Sequence, residues 1–123
     1  MLQNHNNEVL FYYNGEKLLD KELLVQAKNV FQFVREVDIV RNMPSNTRIM
    51  RLCEELGVGL IKLVDKAVLS EEILSEFDEY SEVDLLKILQ RNPNMIKTPI
   101  IATSSGCKFV KGPHDLELDC NVV

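Results

Sequence analysis

Three thiols and two imidazoles are the groups in this chain best suited to chemistry, and their spacing limits what that chemistry can be. Cys53, Cys107 and Cys120 are far apart and odd in number. That pattern fits neither a disulfide framework nor a closely spaced metal site, and it points to a reducing compartment. Cys53 shares a helical face with Ile49 and Leu56 and is read as a buried core thiol. Cys107 and Cys120 have no base or basic cluster nearby in sequence to lower a thiol pKa, so both are read as structural or incidental. His5 and His114 stand alone, without the Cys-His spacing of a metal site, and are placed on the surface. No metal and no cofactor is expected from these residues.

Charge narrows the partners. Glu71, Glu72, Glu76, Asp78, Glu79, Glu82 and Asp84 form a dense acidic run, read as a solvated helix face, with the docking of a basic partner as its other use. A net charge of -5 opposes the phosphate backbone, so nucleic acid is not an expected ligand, while a protein partner stays open. The longest apolar runs, such as Val9 to Tyr13, fall far short of the roughly 20 residues that cross a bilayer. No basic segment followed by an apolar one opens the chain, and a cytoplasmic location is expected.

These groups must be held by a single domain, residues 1–123. A chain of 123 residues with 46% apolar and 27% charged side chains is long enough for one packed core. The polar first seven residues and the stretch from Asp119 to Val123 are expected to fray. Val9 to Tyr13 is aromatic and apolar and is punctuated by Asn14-Gly15, which reads as a buried strand and a turn. Apolar residues at helical spacing from Glu16 to Val30 predict the first helix. Phe31 to Val40 reads as a second strand returning parallel to the first.

Helices fill the middle of the chain. Pro44-Ser45-Asn46 offers capping oxygens to a helix over Thr47 to Leu56, and Gly57 ends it. Leu60 to Val64 reads as one or two more helical turns. Ser70 opens an acidic helical stretch, and Ser81 with Asp84 matches a capping box ahead of Leu85 to Leu89. Pro93 stops that helix. Pro99 to Thr103 and Lys108 to Val110 then flank Ser104-Ser105-Gly106 as a hairpin, and Asp115 to Leu118 begins a terminal helix. A parallel pair plus an antiparallel hairpin makes a mixed four-stranded sheet, an α/β arrangement matching a thioredoxin-like, glutaredoxin-like fold with a helical insertion.

The segment from Leu85 to Thr103 resembles the glutaredoxin-type arsenate reductase and Spx family, which carries a leucine-rich helix, Asn-Pro or His-Pro, a short apolar step, then Arg-Pro-Ile and a strand. Here Asn92-Pro93 and Thr98-Pro99-Ile100 fill the two proline positions at matching separation. Leu56-Gly57-Val58 and Leu63-Val64-Asp65-Lys66 are similar to the family's Leu-Gly and Leu-Leu-Arg-Lys segments. The likeness runs from Val9 to Pro113. It implies a cis bond at Thr98-Pro99.

The same resemblance implies a nucleophilic cysteine at the head of the first helix, in a loop written Tyr-x-Asn-Pro-x-Cys. This chain reads Tyr12-Tyr13-Asn14-Gly15-Glu16-Lys17, and an ammonium group cannot form a thiol adduct or a mixed disulfide. Two arginines implied to bind the oxyanion are replaced by Asp65 and Thr98, and Lys111 lies one residue out of register with a third basic position. Lys17, Asp65, Thr98 and Lys111, with the cis-proline candidate Pro99, therefore form a degenerate site without a catalytic residue. Lys17 is read as an exposed side chain, the other reading being an anion or partner site built with backbone N–H groups. The expected function is a binding or regulatory module by analogy with Spx. The alternatives are a glutathione-linked oxidoreductase using a displaced cysteine such as Cys107, or a structural or stress-associated protein with no ligand.

Overall fold

A computed structural model describes residues 8–120. The element order is β1 (Glu8–Tyr13), α1 (Leu18–Val30), β2 (Phe33–Asp38), α2 (Asn46–Leu56), α3 (Leu60–Leu63), α4 (Glu71–Glu76), α5 (Glu82–Arg91), β3 (Ile100–Thr103), β4 (Gly106–Phe109) and α6 (Pro113–Cys120), with 3-10 turns at Lys66–Val68, Phe77–Glu79 and Pro93–Met95. Residues up to 42 and from 98 onward form one compact unit, and residues 43–97 form a second.

The first unit is the sheet with α1 and α6. Its strand order is β2-β1-β3-β4. β1 runs parallel to β2, with Glu8 opposite Phe33 and Tyr13 opposite Asp38, and antiparallel to β3, with Phe11 opposite Ile101. β3 and β4 are antiparallel, so the expected mixed four-stranded sheet is present. Alternation along β1 sends Val9 and Phe11 to one face. There they join Leu23, Leu24 and Ala27 of α1, Ile101 of β3, Val110 and Leu116 in a buried cluster. Apolar burial of this kind is the main stabilising contribution to the unit.

Three boundaries differ from the sequence expectation. The first helix starts at Leu18 rather than Glu16, because the Glu16 N–H is taken by Asn14 Oδ1 at 2.8 Å and Lys17 stays extended. The second strand stops at Asp38, where Oδ1 accepts the Val40 N–H at 3.0 Å and turns the chain. In the hairpin, Gly106 pairs with Thr103, leaving only Ser104 and Ser105 as the turn. Gly106 takes a φ of 132°, a region that favours glycine, and Thr103 Oγ1 accepts the Ser105 N–H at 3.1 Å.

In the second unit the predicted caps are formed. Ser45 Oγ accepts the Arg48 N–H at 3.2 Å, and Ser70 Oγ accepts that of Ile73 at 3.3 Å. Ser81 and Asp84 make the reciprocal box, with both bonds at 3.2 Å. α2 ends at Gly57 with φ 72°, where the Val58 N–H reaches back to the Cys53 carbonyl at 3.0 Å. Val64 leaves the expected helix to bridge Ile96. Among the described residues no helix is long and apolar enough to cross a membrane.

Candidate functional site

The loop that joins β1 to α1 is built from two buried polar side chains, Asn14 and Asp20, only 1% and 2% exposed. A buried carboxylate persists only where hydrogen bonds replace its water. Asp20, in the first turn of α1, accepts the Asn14 N–H at 2.9 Å and the Thr98 hydroxyl at 2.5 Å on the same oxygen, Oδ2. The Gly15 N–H donates to Asp38 Oδ1 at 3.0 Å. Asn14 then closes the turn on itself, its Oδ1 accepting from Glu16 at 2.8 Å and its carbonyl from the Lys17 N–H at 3.0 Å. The four consecutive backbone N–H groups from Asn14 to Lys17 thus all point to acceptors inside the protein.

Lys17 is the N-cap of α1, with φ -102° and ψ 124°, and its side chain makes no capping bond. It is half-buried rather than fully exposed. An open depression of about 490 Å³ beside the loop is lined by Tyr13, Gly15, Lys21, Glu36, Asp38 and Arg41, groups of both signs. Partial burial, with the Glu36 and Asp38 carboxylates beside it, pushes the Tyr13 phenol above its ordinary pKa.

Thr98-Pro99 is cis, as the resemblance implies, and Pro99 is buried with its carbonyl accepting the Val110 N–H at 2.9 Å. Of the residues read from sequence as a degenerate site, Thr98 bonds Asp20, which lies in the first turn of the helix that Lys17 caps. Lys111 is exposed, and its N–H donates to Asp115 Oδ2 at 2.6 Å at the entry to α6. Asp65 belongs to the second unit. There its Oδ1 accepts the Ala67 N–H at 3.1 Å, and its own N–H donates to the Met95 carbonyl at 2.7 Å.

Cys53 is buried on α2, where desolvation, and secondarily Glu82, pushes the thiol pKa up. Such a thiol is less nucleophilic at neutral pH. Cys107 is half-buried on β4 opposite Ala102. The acidic run lies exposed along α4, the turn Phe77–Glu79 and the start of α5, and His114 is exposed. His5, the Cys120 side chain and both chain ends lie outside the described residues. Among the described residues, no group of three His, Cys, Asp or Glu is placed to hold a metal ion.

Sequence reasoning read Asn14 only as a turn residue and missed Asp20 and Asp38. A signal existed for Asp20, an acid three residues beyond the N-cap, where a carboxylate reaches back to the preceding backbone. Nothing in the sequence tied Asp38 to Gly15, which lies 23 positions away.

No family model matches the chain. An arsenate reductase of Acidiphilium multivorum is 23% identical over 114 residues, covering 92% of this chain and 80% of that protein. Among solved structures, the arsenate reductase from Vibrio cholerae superimposes with a TM-score of 0.73 at 19% identity, covering 90% of this chain and 96% of the other. An arsenate reductase-related protein from Brucella melitensis gives 0.61 at 14% identity, with 90% and 92% covered. Sequence likeness and thioredoxin-like fold together relate this chain to the arsenate reductase family.

Proposed function

We propose that this chain is an arsenate-reductase-like domain that does not carry out thiol chemistry and works in the cytoplasm as a binding or regulatory module. The observation that carries the reading is the state of the loop at the head of α1. Its N–H groups from Asn14 to Lys17 are donated to Asp20, Asp38 and Asn14 itself, and Lys17 stands where the resemblance implies a cysteine. An oxyanion approaching the loop finds these four amides already donated, the reverse of the preorganised donors that stabilise developing negative charge. Thr98, at a position the resemblance gives to an arginine, is a neutral hydroxyl committed to Asp20.

Calorimetric titration with arsenate, and separately with phosphate, tests this reading. It predicts no saturable heat at millimolar anion. Saturable binding lost in Lys17→Ala would overturn it and make the loop a working anion site. The displaced-thiol alternative rests on the partial exposure of Cys107. It requires a mixed disulfide with glutathione at that residue, which mass spectrometry of the native protein after exposure to oxidised glutathione detects.

A further inference from the structure

We propose that the outer edge of β2 is a self-association surface, on which two copies pair antiparallel about a two-fold axis at Val34, setting Phe33 of each copy opposite Arg35 of the other. β2 is an edge strand with β1 as its neighbour in the sheet. Ile39 donates its N–H to the Tyr13 carbonyl of β1 at 2.9 Å. Backbone direction alternates along a strand, so Phe33, Arg35 and Val37 turn their polar groups toward β1, while Val34 and Glu36 turn theirs outward. Neither a proline nor a bulge blunts this edge between Phe33 and Asp38; its protection is the charge of Arg35, Glu36 and Asp38, which any pairing strand must match. A depression of about 600 Å³, lined by Glu8, Lys28, Phe31, Phe33, Arg35 and Glu36, runs beside it.

Symmetry and charge narrow the register. A two-fold axis perpendicular to the sheet keeps each face of the sheet on its own side, so only residues of equal parity meet. Centring the axis on Arg35 opposes two guanidinium groups, and centring it on Glu36 opposes two carboxylates; like charges directly opposite are destabilising. Centring it on Val34 pairs Val34 with its own copy through outward-pointing backbone groups. The same register sets the Arg35 guanidinium against the Phe33 ring, which is 47% exposed, a favourable cation–π arrangement. Glu36 then faces the neutral Gln32. Among the described residues Arg35 makes a 3.5 Å contact with Glu8, both side chains being largely exposed, so little of that contact is lost when it turns to the ring.

Sedimentation velocity over a range of concentrations is the test, on the full chain. A reversible monomer–dimer equilibrium is expected, abolished in Val34→Pro, which deletes an outward N–H that an edge strand does not need for its own sheet. Arg35→Glu should weaken dimerisation about fivefold with unchanged far-ultraviolet circular dichroism. If Val34→Pro fails to fold, Arg35→Glu and an oxidative cross-link decide. With Cys107 and Cys120 changed to serine, Val34→Cys should form a disulfide dimer, since Cα atoms of a hydrogen-bonded antiparallel pair lie about 5.5 Å apart, and Arg35→Cys should not. A monomer at every concentration, or a dimer indifferent to Val34→Pro and Arg35→Glu, overturns the proposal.

Discussion

Thr98 donates its hydroxyl to the carboxylate of Asp20 at 2.5 Å, joining residues 78 positions apart. The same oxygen of Asp20 accepts the Asn14 N–H, so one buried carboxylate fixes both the loop after β1 and the segment leading into β3. Asp20→Ala strands two donors in an environment where Asp20 itself was 2% exposed. A loss of about 2–4 kcal/mol is expected in urea unfolding, with Asp20→Asn losing less because one acceptor oxygen survives.

Gly15 is held against Asp38. A Cβ added there would lie well inside van der Waals contact with Asp38 Oδ2 and 2.8 Å from its Cγ. The Asp38 carboxylate is not free to swing aside, since it accepts from both Gly15 and Val40. Gly15→Ala should therefore cost about 1–3 kcal/mol, measured by thermal unfolding, and Asp38→Ala combined with it should show strong non-additivity.

The thiol of Cys53 holds its proton in the folded state at pH values where an unfolded chain begins to lose it, because burial and Glu82 raise its pKa. That contribution to stability is complete below the ordinary thiol range of about 8.5 and declines as pH rises above it. Cys53→Ala should be less stable than wild type by about 1 kcal/mol at neutral pH, and the gap should narrow between pH 8 and pH 10. A disulfide reagent should label Cys53 only on unfolding.

Ser81 and Asp84 satisfy each other's backbone N–H at the start of α5. Ser81→Ala should lower stability by about 1 kcal/mol, and Ser81→Asp should restore most of it.

Local signals made the fold legible. The aromatic run before Asn14-Gly15, the Ser70 and Ser81 caps, Gly57 and the proline at position 93 all act within a few residues, and each element they predict is present. Boundaries failed where a neighbouring side chain captured a backbone N–H that the periodicity assigns to the element. The Asn14 side chain delays α1 to Leu18, and Thr103 with Gly106 shortens the hairpin turn. The candidate site was half legible. Lys17 and Thr98 were visible by their positions in a pattern, whereas Asp38 reaches Gly15 across 23 positions and Asp20 reaches Thr98 across 78, separations that no periodicity encodes.

The central claim is that the head of α1 does no thiol chemistry, and the direct test is arsenate reduction by the purified protein with glutathione, glutaredoxin and NADPH recycling supplied. The expected rate equals that of a blank. Lys17→Cys alone should not raise it, because the loop amides of Asn14 and Gly15 stay donated to Asp20 and Asp38 and position 98 has no cationic group to stabilise the transition-state charge. Turnover by the unmodified protein that disappears in Cys107→Ser would contradict the account and make the displaced-thiol enzyme the correct reading.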